Sequence, residues 1–221
     1  MIAVMAKPPT PAAARAARQQ AVADVRRSLV LQAARSAFFE LGLEGASLRE
    51  IAKRAGYTPG AIYSYFDSKE QVYGALLGES LERLNACVAA APATLRAKAT
   101  AFFDFYRENP RDLDLGFYLF HGMQPRGLTP ALNTHLNARL HNAIEPMQTQ
   151  LVALGFKPQE AQTEVTALFA HIVGLLLLSH TGRIRMFGQT SPALFERYLD
   201  GLVARIPSFA RGKRHARGTA P

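Results

Sequence analysis

The sequence predicts an all-α protein built in two parts, on two observations. Apolar residues recur at three- and four-residue spacing throughout, and no alternating apolar run is long enough for a strand. Helix punctuation also recurs: Ser47, Thr58-Pro59, Thr129-Pro130 and Ser191-Pro192 stand where helices should start, and Gly42, Gly56 and Gly155 where they should end. With 48% hydrophobic and 19% charged residues the chain is globular, and 221 residues suffice for one sizeable domain or for a small one plus a medium one.

Residues 1–23, rich in Ala, Pro and Arg, read as a flexible basic arm. Its Arg15 and Arg18, with Arg26 and Arg27 beyond, either add phosphate or minor-groove contacts or, for the first two, belong to a solvated tail. From Asp24 to Leu41 a helix carries Val25, Leu29, Ala33, Ala37 and Leu41 at four-residue spacing and closes at Gly42. Ser47 three residues ahead of Glu50 forms a capping-box pair, and Leu48, Ile51, Ala52 and Ala55 give the short helix that follows one apolar side. Gly56 permits the left-handed residue that ends it, and Thr58 with Pro59 starts a second short helix. There Ile62 and Phe66 share a stripe, while Gly60 and Ser64 point the other way and leave a narrow face of small side chains.

Asp67 and Ser68 cap a long helix through Val72, Leu76, Leu77, Leu81 and Leu84 toward Val88. An aromatic-rich helix covers residues 94–109, and after Pro110 a short one carries Leu113, Leu115, Phe117, Tyr118, Leu119 and Phe120. Residues 122–127 read as a loop. Thr129-Pro130 opens a helix to about Leu154, which Pro146 should kink or locally break. Pro158 opens another that runs to about Met186, and Ser191-Pro192 caps a last one ending near Ile206. Residues 207–221 hold four basic residues, no acid and no core former, and read as a disordered basic tail that either strengthens binding to polyanions or does nothing.

The formal net charge of +9 favours a polyanionic partner, and its placement tells more than its total. Residues 1–70 carry ten basic and six acidic side chains, residues 71–204 eleven of each, and residues 205–221 five and none. A neutral middle argues against a chain that coats nucleic acid along its whole length. The single cysteine, Cys87, excludes an internal disulfide and a cysteine-based zinc site and fits a reducing cytoplasm. The first ten residues do not make a secretory signal, and no run approaches the length of a membrane span, so a soluble protein without membrane partners is expected.

Residues 47–66 carry the functional signal. Two short helices meet at a tight turn, the second offers a face of small side chains, and Arg49, Lys53, Arg54, Tyr63, Tyr65 and Lys69 surround it with cations and hydroxyls suited to phosphate oxygens. That is the pattern of a helix-turn-helix whose second helix enters a major groove of double-stranded DNA. Pro59, Gly60, Ala61 and Ser64 are short and can offer methyl contact to thymine, whereas Arg49 is the long donor placed for a guanine.

The run from Ala33 to Gly42 in the pattern A-A-x-x-x-F-x-x-x-G, then S-L-R-E-I-A-x-x-A-G and A-I-Y-x-Y-F-x-S-K-E, resembles the N-terminal domain of the TetR family of one-component transcriptional regulators. The resemblance covers residues 24–84. It implies a three-helix DNA-binding domain there, followed over residues 85–206 by a helical bundle for dimerisation and ligand sensing. It also implies phosphate contacts from Ser47, Thr58, Tyr63, Tyr65 and Lys69, to which Arg27 is added as a neighbouring cation. A homodimer would read a palindromic operator.

No catalytic constellation competes with this reading. His135 and His141, or His171 and His180, lack the i, i+4 spacing of a helical metal pair, no phosphate-cradling glycine loop occurs, and neither metal nor cofactor is expected. Phe103, Tyr106, Phe117, Phe120, His121, Met147, Phe169 and His171 come from four helices that the resemblance would gather around one cavity. Their apolar, uncharged character suits a small lipophilic or weakly polar effector, although aromatic residues at helical spacing are ordinarily core. The last two helices carry Leu175, Leu178, Leu194, Phe195, Tyr198 and Leu202, more apolar groups than one face needs, which implies a partner subunit or else an intramolecular core. The expected function is a ligand-released repressor. The alternative is a DNA-binding adaptor whose C-terminal bundle docks a protein.

Overall fold

The computed structural model describes residues 10–117 and 128–206. Among these residues there are nine α-helices, one 3-10 turn and no strand. They are α1 (Pro11–Gly45), α2 (Leu48–Ala55), α3 (Pro59–Tyr63), α4 (Lys69–Ala90), α5 (Leu95–Glu108), α6 (Pro110–Gly116), α7 (Pro130–Ala153), α8 (Pro158–His180) and α9 (Ser191–Ala204). The described residues form two compact units that part inside α4, between Leu76 and Leu77. Each unit takes a stretch of α4 into its own core: Val72, Tyr73 and Leu76 in the first, Leu77, Leu81, Leu84 and Val88 in the second. The apolar period runs through that point without interruption, so the sequence holds no mark of it.

In the first unit, residues 11–23 are helical and not a flexible arm. Thr10 caps them by accepting the Ala13 amide, Pro11 supplies the first-turn φ, and the Ala-rich stretch has high intrinsic helix propensity. The four-residue stripe is corrected as well, because Val25, Leu29 and Leu41 are exposed. Four residues overshoot a helical turn by about 40°, so such a series winds off the buried face. The core side is formed by Val30, Leu31, Ala34, Ala37 and Phe38. Gly42 has φ 71°, which breaks helical geometry where the sequence placed the end, and the Ala46 amide returns to its carbonyl.

In the second unit α7 and α8 pack on each other, α5 against both, and α9 on α8. Pro146 does not break α7, which runs unbroken from Pro130 to Ala153. The carbonyl it leaves without a helical donor belongs to exposed Asn142, which solvent can reach. Helix α8 stops at His180 instead of reaching Met186. Gly182 at φ 73° lets the Arg183 amide turn back to the Leu178 carbonyl, and a 3-10 turn, Arg185–Phe187, follows. The predicted loop at residues 122–127 and the tail at 207–221 lie outside the described residues.

A buried lysine closes α4. Lys98 on α5 points its ammonium at the carbonyls of Val88, Ala89 and Ala91, at 2.7, 3.0 and 2.7 Å. These are acceptors at the negative end of a helix dipole, and they use all three ammonium protons. A methionine at position 98 keeps the stem and strands the carbonyls, so Lys98→Met should lower unfolding free energy by roughly 2 kcal/mol in urea denaturation.

Candidate nucleic-acid interface

The geometry of α2, its turn and α3 follows from local caps. The Ser47 hydroxyl accepts the Glu50 amide at 3.2 Å, which is half of the expected capping box. The Glu50 carboxylate is taken instead by Arg54 Nε at 2.8 Å. Gly56, at φ 72°, ends α2, with the Gly56 and Tyr57 amides returning to Lys53 and Ala52. Thr58 then accepts the Ala61 amide at 3.3 Å, Pro59 occupies the first turn, and the Ser64 hydroxyl donates to the Ala61 carbonyl at 2.7 Å.

Ile62 and Phe66 are buried, whereas Pro59, Gly60, Tyr63 and Ser64 are exposed and Ala61 and Tyr65 half-buried. A Cβ built on Gly60 meets nothing within 4 Å, so the chain's own packing sets no demand for glycine there. The hydroxyls of Ser47 and Thr58 accept amide protons but keep their own, and both residues are exposed. Each can still donate to an anionic oxygen. Ser64 has spent its proton and faces outward as an acceptor. Arg49 is exposed in the first turn of α2.

Three cations expected near this surface have intramolecular work. Lys69 Nζ donates to the carbonyls of Glu44 and Ala46 at 3.1 and 3.3 Å, closing the end of α1. Arg54 binds Glu50 and Glu40, each at 2.8 Å, and Ser36 at 3.1 Å, which ties α2 to α1. Ser36 first, then Arg54, holds the Glu40 carboxyl below its ordinary range. The Arg27 guanidinium lies over the Phe66 ring at 5.4 Å.

The candidate effector residues divide. Tyr106 is ringed at 5.4, 5.2 and 5.9 Å by Phe102, Phe105 and Phe117, and Phe169 meets Phe102 and Phe117 at 6.0 and 6.1 Å. Burial pushes the Tyr106 hydroxyl pKa far up, with a smaller contribution from Asp112, so the group stays protonated. Met147 is fully buried. Phe103 instead stacks on Phe195 of α9 at 4.4 Å, and His171 on Tyr198 of α9 at 4.1 Å. Burial lowers the His171 pKa, against a backbone hydrogen bond with Leu194, and its Nε2 is buried without a partner. Phe120 and His121 lie outside the described residues.

The residues assigned to a partner subunit divide too. Leu175, Phe195 and Leu202 are buried within the chain, since α9 packs on α8, and Tyr198 is half covered by His171. Leu178 remains exposed, and Met186 and Phe187, which the sequence reading did not single out, are 74% and 73% exposed. With Leu175, Ile184 and Leu194, and with Arg183 and Gln189 beside them, they line a mostly apolar groove of about 400 Å³. Helix α8 is also long and apolar enough to cross a membrane by length and composition, with mean hydropathy 1.6 over its most apolar window, a third of it buried. No group of three or more metal-binding side chains occurs among the described residues.

Residues 30–76, which span the core half of α1 through the first turns of α4, match the family described as bacterial regulatory proteins, tetR family. The transcriptional activator FasR of Mycolicibacterium smegmatis is 36% identical over 101 residues, 42% of this chain and 46% of that protein. The transcriptional repressor AcnR of Corynebacterium diphtheriae is 38% identical over 65 residues, 29% of this chain and 34% of that one. The chain thus aligns with less than half the length of either. A bacterial regulatory protein of the tetR family from Rhodococcus RHA1 superposes with TM-score 0.63 at 19% identity, over 82% of this chain and 96% of that one. The regulator FadR of Bacillus subtilis, solved in complex with stearoyl-CoA, superposes with TM-score 0.59 at 19% identity, over 81% and 99%. These relatives are named as transcription regulators, not as enzymes. The matched segment coincides with the helix-turn-helix and the helices that hold it, so it is over residues 30–76 that the chain is similar to the tetR family of bacterial regulatory proteins.

Proposed function

We propose that the protein is a cytoplasmic transcriptional regulator that binds a palindromic operator as a homodimer and lets go when a small lipophilic or weakly polar effector enters its second unit. The observation that carries this reading is the outer face of α3, where Gly60, Ser64 and Pro59 leave room for a groove floor. Arg49, Tyr63 and the protons of Ser47 and Thr58 surround it for the phosphate rails. Ser64, as an acceptor, suits a base amino group. Lys69 and Arg27 hold the domain together more than they hold DNA. The sign of regulation is read as repression, as the repressor AcnR is among the similar proteins, while FasR is named an activator.

The homodimer is supported by the uncovered apolar groove at Leu178, Met186 and Phe187 beside an α8 that its own chain covers only in part. A two-fold pair would set two copies of α3 at successive major grooves about 34 Å apart, and an effector acts by favouring a pair that cannot span them. The same groove, together with the close stacking of Phe103 on Phe195, also supports the adaptor reading, in which another protein docks there.

Selection of bound sequences from random duplexes tests the reading directly, and failure to enrich any palindrome sinks it. On the selected operator, Arg49→Ala should cost roughly 1–3 kcal/mol and relax preference at one position. Equal loss on random duplex would remove Arg49 from base readout. The double variant Met186→Glu, Phe187→Glu should sediment as a monomer where the wild type is a dimer; a monomeric wild type favours the adaptor. Thermal-shift titration should show stabilisation by long-chain acyl esters and acyl-CoA but none by coenzyme A alone. Stabilisation by the charged carrier only would exclude a lipophilic effector.

A further inference from the structure

The first turns of α1 have no role in the fold's core. No side chain between Pro11 and Leu29 is buried, and Val30 is the first that is. Yet this stretch is a continuous helix, and its sides are chemically unlike. Arg15, Arg18, Val22 and Arg26 fall at i, i+3, i+7 and i+11, one face of a helix. With Gln19 and Ala23 they line a groove of about 550 Å³ whose remaining wall is Tyr65, the residue that follows α3 and its cap. Asp24, the only acidic residue before Glu40, sits on the opposite side and accepts a hydrogen bond from Gln20 at 2.8 Å. All three arginines on the Tyr65 side are exposed.

We infer that this helical extension is a second DNA-contacting element, a rail of three guanidinium groups that grips the phosphate backbone beside the groove entered by α3. The inference rests on the DNA-binding reading above and adds to it. Charge complementarity and continuity with the reading segment through Tyr65 identify the occupant as duplex DNA. From Arg15 to Arg26 the helix rises by about 16 Å, enough to pass several phosphates spaced about 3.4 Å along the axis of one strand. The contact is to backbone and carries affinity without sequence preference. Because the scaffold is a helix and not a loose arm, the three charges arrive already placed, at a smaller ordering cost than a coil would incur.

The test uses the full chain with Arg15→Ala, Arg18→Ala and Arg26→Ala combined, and a second triple variant with lysine at the same positions. Alanine favours helix at least as well as arginine, so far-UV circular dichroism should be unchanged in both. Affinity is measured against salt on the selected operator and on a random duplex. The alanine variant should lose about 2–3 from the slope of log K against log salt, equally on both duplexes. Over a fourfold rise in salt, its affinity should therefore fall by about 40-fold less than that of the wild type. The lysine variant should retain the slope.

An unchanged slope in the alanine variant, with the wild type binding its operator, overturns this inference and leaves the proposed function intact. A wild type that retains no duplex sinks both. If the alanine variant keeps its DNA slope but loses binding to phosphatidylglycerol vesicles that the wild type binds, the rail faces a lipid surface and the inference is wrong. Val22, Val25 and Leu29, exposed beside the arginines, make that comparison necessary.

Discussion

A helix of five residues cannot hold itself in water, and the outer face of α3 depends on what holds the helix in place. Two buried side chains, Ile62 and Phe66, anchor it from below, and the Thr58 hydroxyl with the fixed φ of Pro59 shapes its entry. Because Ile62 and Phe66 are spent on the inner side, the outer side is left with Pro59, Gly60 and Ser64, with Tyr63 exposed beside them. That smoothness is a by-product of anchoring on one side and the condition for close approach on the other. The frame under it is polar: Arg54 ties α2 to α1 through Glu40 and Ser36, and Lys69 closes the end of α1. Cations next to α3 thus serve two ends, and only exposure and partners separate those that grip the fold from those that face outward.

The second unit is held by a few long-range polar bonds set into an aromatic core. Buried Asp112 is met by Arg83 at 2.6 Å, Lys98 closes α4, and Arg96 reaches Glu196 and Asp200 on α9. Arg139 on α7 binds Glu82 and the Gly78 carbonyl on α4. Lys98 ties the consecutive helices α4 and α5, and the others join helices distant in sequence, so each resists a shift of one helix past another. Two buried polar atoms among the described residues have no partner, Ser80 Oγ on α4 and His171 Nε2 between α8 and α9.

By itself the sequence determined what is decided within a few residues. It set the helical class, the caps at Ser47, Thr58 and Thr129, the stops at Gly42 and Gly56, and the split of α3 into an anchored and a small-residue side. These rest on bonds three or four residues long and on helical period, which are written locally. Tertiary structure decided what depends on distant partners. Lys69 meets carbonyls 25 and 23 residues away, and Arg54 a serine 18 away. The candidate effector residues separate into a Tyr106 cluster and an α9-facing pair, and Phe195 turns inward while Met186 and Phe187 turn out. A periodic apolar stripe says that a face will be covered but not by what, because the hydrophobic effect has no direction and only packing chooses the neighbour.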